Sequence, residues 1–290
     1  MNKLRVIEGR SGRVWPRVVR AAAESRAQGR RVVVYVPEQM TLQTERDLIA
    51  GLELKGLLDI EVISPRKLRL LVREKAGGGE RRTLDEYGQV MAVHRAMTET
   101  DGELVFYRNM TELPGAVVRI REALSELRES GITPEETEDY AAKAEAGAMQ
   151  AKLRDLNRIR GAYESLVAEH FDDEKTAWTE TVRRLGKTDL LRGADFIAWG
   201  FDTIRPDLRE LLCAVCALAE SAYVFLTSGE QDAPDAAVFR ERDRSVRQLG
   251  EALSEAGGEM QRIRITDPRK DCGEMLRWLD GHVFTEQPEK

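Results

Sequence analysis

Two hydrophobic patterns alternate along the chain. Short apolar runs rich in β-branched residues occupy residues 4–7, 32–36, 60–63, 196–198, 222–226 and 262–265. Most are followed by a stretch with apolar residues at helical spacing. Strands separated by helices predict a parallel sheet covered on both faces. The unbroken run "VVVYV" (32–36) suits a strand buried on both sides. Between residues 83 and 186 the strand pattern disappears. "LDEYGQVMAVHRAMTE", "PGAVVRIREALSELRESG" and "MQAKLRDLNRIRGAYESLVAEHF" carry apolar residues at i, i+3 and i+4, the signature of amphipathic helices. Gly131 is placed to end one helix, and Thr133-Pro134 to start the next. "AGGGE" (76–80) and "GKTDLLRG" (186–193) read as joints. The expected organisation is an α/β core of residues 1–80 and 187–290, with a helical insertion at 81–186 between the third and fourth strands.

Composition narrows the class. Hydrophobic residues make up 42% and charged residues 33%, a globular composition with a heavily charged surface. No apolar run approaches about 18 residues, so no membrane span is expected. "MNKLRVIEGR" lacks an apolar signal core, which predicts a cytoplasmic location. The net charge of −6 argues against a generally basic nucleic-acid binder and leaves room for a local basic groove.

Potential ligand-forming residues add little. Cys213 and Cys216 sit in a helical apolar pattern and read as core residues, and Cys272 alone supplies no second pair for zinc. His94, His170 and His282 show no ligand spacing. The acids Asp172, Asp173 and Glu174 suit the start of a helix rather than a metal. No metal site and no PD-(D/E)xK nuclease pattern is expected.

The stretch "IEGRSGRVWPRVVRA" follows the first strand and enters a helix. A phosphate-binding loop reads G-x-x-x-x-G-K-[ST], with glycines that let backbone N–H groups wrap phosphate, a lysine, and a hydroxyl for Mg²⁺. Here the loop is Gly9, Arg10, Ser11, Gly12 and onward, but the second glycine position is Val14, the lysine Trp15 and the hydroxyl Pro16. Valine resists a tight positive-φ turn, tryptophan brings no charge, and proline removes an N–H. The scaffold of a nucleotide loop is expected without tight Mg-ATP binding.

Further segments carry a family resemblance. "VVVYVPEQMTLQTE" is similar to the VPxQ-T-x-x-E segment of the B subunits of AddAB/RexAB helicase–nucleases. "IEVISPRKLRLLVREKAG" resembles their V-x-S-F-x-R-L element, with Pro65 where Phe is usual. "KLRDLNRIRGAYESL" resembles their KL-x-D-L helix, "FIAWGFDTIRPDLRELL" their DGF-x-x-F-T-P-x-E stretch, and "EGRSG" the start of their GRSGSGKT loop. Order and spacing agree across nearly the whole chain. The resemblance implies a P-loop NTPase-like parallel sheet of the UvrD-type helicase core, interrupted by an all-helical subdomain. It further implies an inactivated, non-motor region that scaffolds an AddA/RexA-like helicase–nuclease subunit and guides single-stranded DNA during double-strand-break repair and recombination.

The family's carboxylate at the end of the fourth strand is here Trp199, with Asp202 three residues on. ATP and Mg²⁺ are therefore not expected as cofactors. The family's iron–sulfur cluster belongs to a C-terminal nuclease domain that has no counterpart in these 290 residues, so the resemblance implies part of a larger protein, itself an ATP-dependent deoxyribonuclease subunit. Trp15 and Trp199 are expected to fill the place of the nucleotide, with stacking of Trp199 on a base as the alternative.

Strand contacts with DNA are expected from loops at the strand C-terminal ends. The candidates are Gln39 and Thr41 after the second strand, Ser64, Arg66 and Lys67 after the third, and Phe201 and Arg205 after the fourth. Helix capping by Gln39, Thr41 and Ser64, and a solvated face for Arg66 and Lys67, are the plainer alternatives. Two other functions stay open: a P-loop ATPase that still binds nucleotide, and a protein-interaction module without DNA contact.

Overall fold

The computed structural model describes residues 3–10, 12–77, 82–144, 147–172, 174–229, 236–265 and 273–282. These fall into two compact units, one of Met1–Gly77 with Thr181–Lys290 and one of Gly78–Glu180. The chain begins with β1 (Lys3–Gly9), α1 (Trp15–Ala27), β2 (Arg31–Tyr35), α2 (Thr41–Gly51), β3 (Ile60–Ile63) and α3 (Pro65–Ala76). There follow β4 (Arg82–Thr83), α4 (Glu86–Thr100), α5 (Pro114–Glu129), α6 (Pro134–Lys143), α7 (Ala148–His170), β5 (Phe171–Asp172) and α8 (Glu174–Leu185). The chain continues with β6 (Ala194–Ala198), α9 (Pro206–Leu218), β7 (Ser221–Thr227), α10 (Arg240–Glu255), β8 (Glu259–Arg264) and α11 (Glu274–His282).

Six strands form one all-parallel sheet in the order β3-β2-β6-β7-β1-β8. Each contains part of an apolar run read from the sequence. Burial explains that legibility. β2 and β6 lie inside the sheet with helices on both faces, so nearly every residue is buried and apolar. β8 is the edge strand and mostly exposed. Its pairing with β1 runs from Lys3↔Glu259 to Glu8↔Arg264, so it begins three residues before the expected 262 and ends one before 265. Polar residues at an edge give no apolar run to read.

Strand order fixes the faces. The steps β1→β2→β3 move one way along the sheet, and β6→β7→β8 move the other. Right-handed crossovers then put α1 and α2 on one face and α9 and α10 on the opposite one. On the first face Val18, Ala22, Val34, Leu48, Val62 and Phe225 form a buried cluster. On the other, α9 packs on β7 and β1, and α10 on β8 and α9. At the strand N-terminal end, the buried Asp195 of β6 accepts from Ser25 Oγ (2.5 Å) and pairs with Arg30 (3.3 Å).

The second unit is helical apart from the two-residue pairing of β4 with β5. Val93, Ala96 and Met97 of α4, Val117, Ile120 and Leu124 of α5, and Leu156, Ile159, Tyr163 and Val167 of α7 form its core. Their spacing follows the helical repeat. Gly131 takes φ +72 just past α5, and Thr133 caps α6 in a reciprocal box with Glu136. Asp155, 1% exposed, accepts backbone N–H bonds from Val105 (2.9 Å), Phe106 (2.7 Å) and Tyr107 (2.9 Å). The aspartate of the "KLRDL" segment therefore holds a loop in place.

Candidate functional site

All six strands of the sheet are parallel, so the loops after β1, β2, β3 and β6 leave from one edge. That edge carries the candidate loop residues, from Gly9 through Gln39 and Ser64 to Arg205. Ser11 lies outside the described residues, as do Asp173 and Cys272.

The loop after β1 is closed by packing. Gly9 ends the strand; a Cβ there would lie 3.0 Å from the Ile265 Cβ. Arg10 is buried, and its carbonyl accepts the Arg13 N–H (3.0 Å) in a turn where Gly12 takes φ +79. Val14 stands at the helix N-cap with φ −79 and no side-chain cap bond. It is 1% exposed and belongs to the apolar cluster of Val18, Val34 and Val36. Pro16 lies in the exposed first turn of α1, where its missing N–H costs no intrahelical bond. Trp15 packs on Trp199, with ring centroids 5.7 Å apart and planes tilted by 45°. Both rings are half-buried against the same cluster, beside Met40.

The ends of β2 and β6 meet closely. The Trp199 N–H donates to the Tyr35 carbonyl (3.0 Å), which extends the ladder by one bond. Gly200 then turns away at φ +85; a Cβ at this position would meet Met40 Sδ at 2.5 Å and Pro37 Cδ at 3.3 Å. Glycine is required twice over, by the backbone angle and by the space. Phe201 stacks on Tyr35 (5.4 Å, 17°), and Tyr35 on Phe196 (5.9 Å, 30°). Burial, then the charges of Asp207 and Glu38, push the Tyr35 hydroxyl far above its ordinary value, against the opposing pull of Arg205 and Arg69. Tyr35 stays neutral, a rigid wall under these charges. Asp202 is exposed.

The rim beyond is polar. Glu38 accepts the Arg66 N–H (2.7 Å), so the loop after β2 caps the helix after β3. Thr41 Oγ1 donates to the Glu38 carbonyl (3.1 Å), and buried Ser64 caps α3 by accepting from the Lys67 N–H (3.3 Å). Lys67 Nζ donates to the Val62 carbonyl (3.2 Å) and pairs with Glu61 (3.3 Å). Arg205 pairs with Asp207 (3.2 Å). Gln39, Arg66 and Arg205 are exposed. Thr41, Ser64 and Lys67 thus have structural partners with part or all of their surface buried, while Gln39, Arg66 and the Asp207-paired Arg205 are exposed.

Sequence reading missed a charged cluster at the other end of this edge. Glu8 is fully buried at the end of β1. It accepts from Arg262 of β8 through both carboxylate oxygens, one at 2.9 Å, and lies 3.9 Å from Arg242 of α10. Arg242 donates to the Thr227 carbonyl (2.8 Å) and sits over the Phe239 ring (5.1 Å). Asp243 joins both arginines, at 2.8 and 2.7 Å. Burial works to raise its carboxyl, but Arg242 and Arg262 outweigh it and hold it below the ordinary value. The hydrogen bond from Arg262 to Glu8, followed by the charge of Glu8, raises the Arg262 guanidinium. An acid inside the strand-like run "VIEG" was the available signal, because a charge inside a buried strand demands a partner.

Cys213 and Cys216 lie on α9, and burial pushes both thiols up. Among the described residues no group of His, Cys, Asp or Glu is arranged to hold a metal ion, and no helix is long and apolar enough to cross a membrane.

The sequence matches the family described as "ADDB, N-terminal" over residues 6–280. It is similar to proteins named as the B subunits of ATP-dependent helicase/deoxyribonucleases. That of Acetivibrio thermocellus is 26% identical over 260 residues, covering 88% of this chain and 23% of the relative. That of Moorella thermoacetica is 28% identical over 232 residues (77% and 20%). That of Alkaliphilus oremlandii is 26% identical over 209 residues (71% and 18%). The chain thus spans about a fifth of the length of these relatives.

Proposed function

The chain belongs to the AddB N-terminal family, and on that premise we propose that it is an inactivated helicase-like core of the UvrD type, serving a helicase–nuclease as a scaffold and strand guide. In this reading the loop from Gly9 to Pro16 is a degenerate phosphate loop, and Trp199 stands where a Mg²⁺-holding acid would be. The relatives are B subunits by name, so the scaffolded partner is an AddA-like protein, and the work is DNA double-strand-break processing in the cytoplasm.

One observation supports the reading: Val14 is buried and Trp15 packs on Trp199, at loop positions where a phosphate cradle would need bare backbone N–H groups and a lysine. The residues present do not fit Mg-ATP, so no nucleotide step is assigned to this chain. The DNA contact falls to the exposed rim of Gln39, Arg66 and Arg205, with Phe201 at its base.

The test pairs two titrations of the purified chain. Fluorescence anisotropy of a labelled oligo(dT) is expected to show binding that weakens steadily with the logarithm of salt concentration. The double variant Arg66→Ala, Arg205→Ala is expected to bind more weakly, with a shallower salt slope. Calorimetry with Mg-ATP is expected to show no saturable heat. Saturable Mg-ATP binding would overturn the reading in favour of a surviving nucleotide site. Absence of oligonucleotide binding would leave a protein-interaction module, which the pairing of Lys67 with Glu61 and of Arg205 with Asp207 favours.

A further inference from the structure

A groove of about 360 Å³ runs between α1 and the edge strand β8, on the face opposite α10. Among the described residues no helix covers the sheet there, because α1 crosses from β1 toward β2 and leaves the β1/β8 side behind. Ile7, Ile263 and Ile265 supply its apolar floor with Tyr223. Among the described residues that line it, Arg17, Arg20 and Arg264 stand around it with one acid, Glu24, bound to Arg20 at 2.9 Å. Three guanidiniums to one carboxylate reverse the sign of the whole chain, which is −6. We propose that this groove docks an extended acidic and apolar segment of the AddA-like partner, a proposal that rests on the family reading above.

Three features select that occupant. A sheet edge offers backbone donors and acceptors to an added strand, and among the described residues β8 is paired on one side only. Ile263 of that edge is 36% exposed, so an apolar side chain laid in the groove gains buried area. Guanidiniums flanking an apolar floor match carboxylates that flank an apolar anchor. A nucleic acid fits less well. Stacking needs an open aromatic face, and Tyr223 already has the Arg5 guanidinium over its ring (5.3 Å) and on its hydroxyl (3.0 Å). A second copy of this acidic chain is the remaining occupant, and the test separates it.

The experiment measures binding of the purified AddA-type protein from the same genome to this chain by calorimetry. Three forms are compared: the unmodified chain, Ile263→Asp, and the pair Arg17→Glu with Arg264→Glu. All three side chains concerned lie at or near the surface, and unchanged circular dichroism checks that each variant folds. Both variants are expected to weaken the complex at least tenfold. Raising salt is expected to weaken the unmodified complex more than that of the Arg17/Arg264 variant. Equal affinity in all three forms would overturn the groove and leave the scaffold reading intact. Failure of the unmodified chain to bind would overturn both. A homodimer that the variants dissociate, or oligo(dT) binding that they abolish while association with the AddA-type protein persists, would also overturn the proposal.

Discussion

The two halves of the sheet's C-terminal edge solve opposite problems. Over β1 the polypeptide is shut: Val14 is buried, Trp15 leans on Trp199, and Glu8 is sealed in with Arg262 and Arg242. Over β2 and β3 it is open: the Tyr35–Phe201 stack ends in a rim where Gln39, Arg66 and Arg205 meet water. Both halves start from parallel strands whose last N–H and C=O groups need partners. In the closed half apolar rings and buried ion pairs pack against the loop backbone. In the open half, Glu38 and Ser64 cap α3 while the Gln39, Arg66 and Arg205 side chains stay exposed. One edge of a parallel sheet can thus be sealed by side chains in one half while the other keeps a polar surface.

The strongest way to break this contrast is Glu8→Gln. It leaves Asp243 as the remaining anion for Arg262 and the buried Arg242, an expected loss of about 3 kcal/mol in urea unfolding, the low end for a broken buried pair. A loss below about 1 kcal/mol would mean that water reaches those charges and that the half is not closed. Trp15→Ala comes next. The ring is half-buried, so the expected loss is about 2–3 kcal/mol, below the range for full burial. Its oligo(dT) affinity is expected to match that of the unmodified chain; a large drop would move the DNA contact into the closed half.

Gly200→Ala probes the seam between the halves, with an expected cost of about 1–2 kcal/mol from positive φ and the clash with Met40. Adding Met40→Ala is expected to cost less than the two single changes together, since the pair shares one contact. Strict additivity in a double-mutant cycle would show that the loops after β2 and β6 do not bear on each other there.

Parts of this are legible in residues close together in sequence. The strand runs, the Ser64-Pro65 start of α3 and the Thr133-Pro134 start of α6 depend on a few adjacent side chains and their own backbone. Trp15 and Trp199 stand out in sequence as large rings in the loops after the first and fourth strands, and the structure brings them into contact. The bounds of β8 escape the pattern because an edge strand has no need of apolar alternation on both faces. Lys67 reads from sequence as a rim cation, yet its amine turns back to Val62 and Glu61, a choice that burial around β3 decides. The "KLRDL" segment stands out by pattern, but the work of Asp155 lies about 50 residues upstream, in the loop it holds.

Taken alone, the sequence determined the alternation of strands with helices, the helix starts and the absence of a phosphate-loop lysine, because each is set by local backbone preference or by side-chain chemistry at one position. Only the tertiary structure decided the strand order, and with it that Glu8 faces Arg262 across 254 residues of chain and that a groove lies between α1 and β8. Such pairings depend on which strands become neighbours. That is a global balance of burial and crossover handedness, to which no single stretch of residues holds the answer.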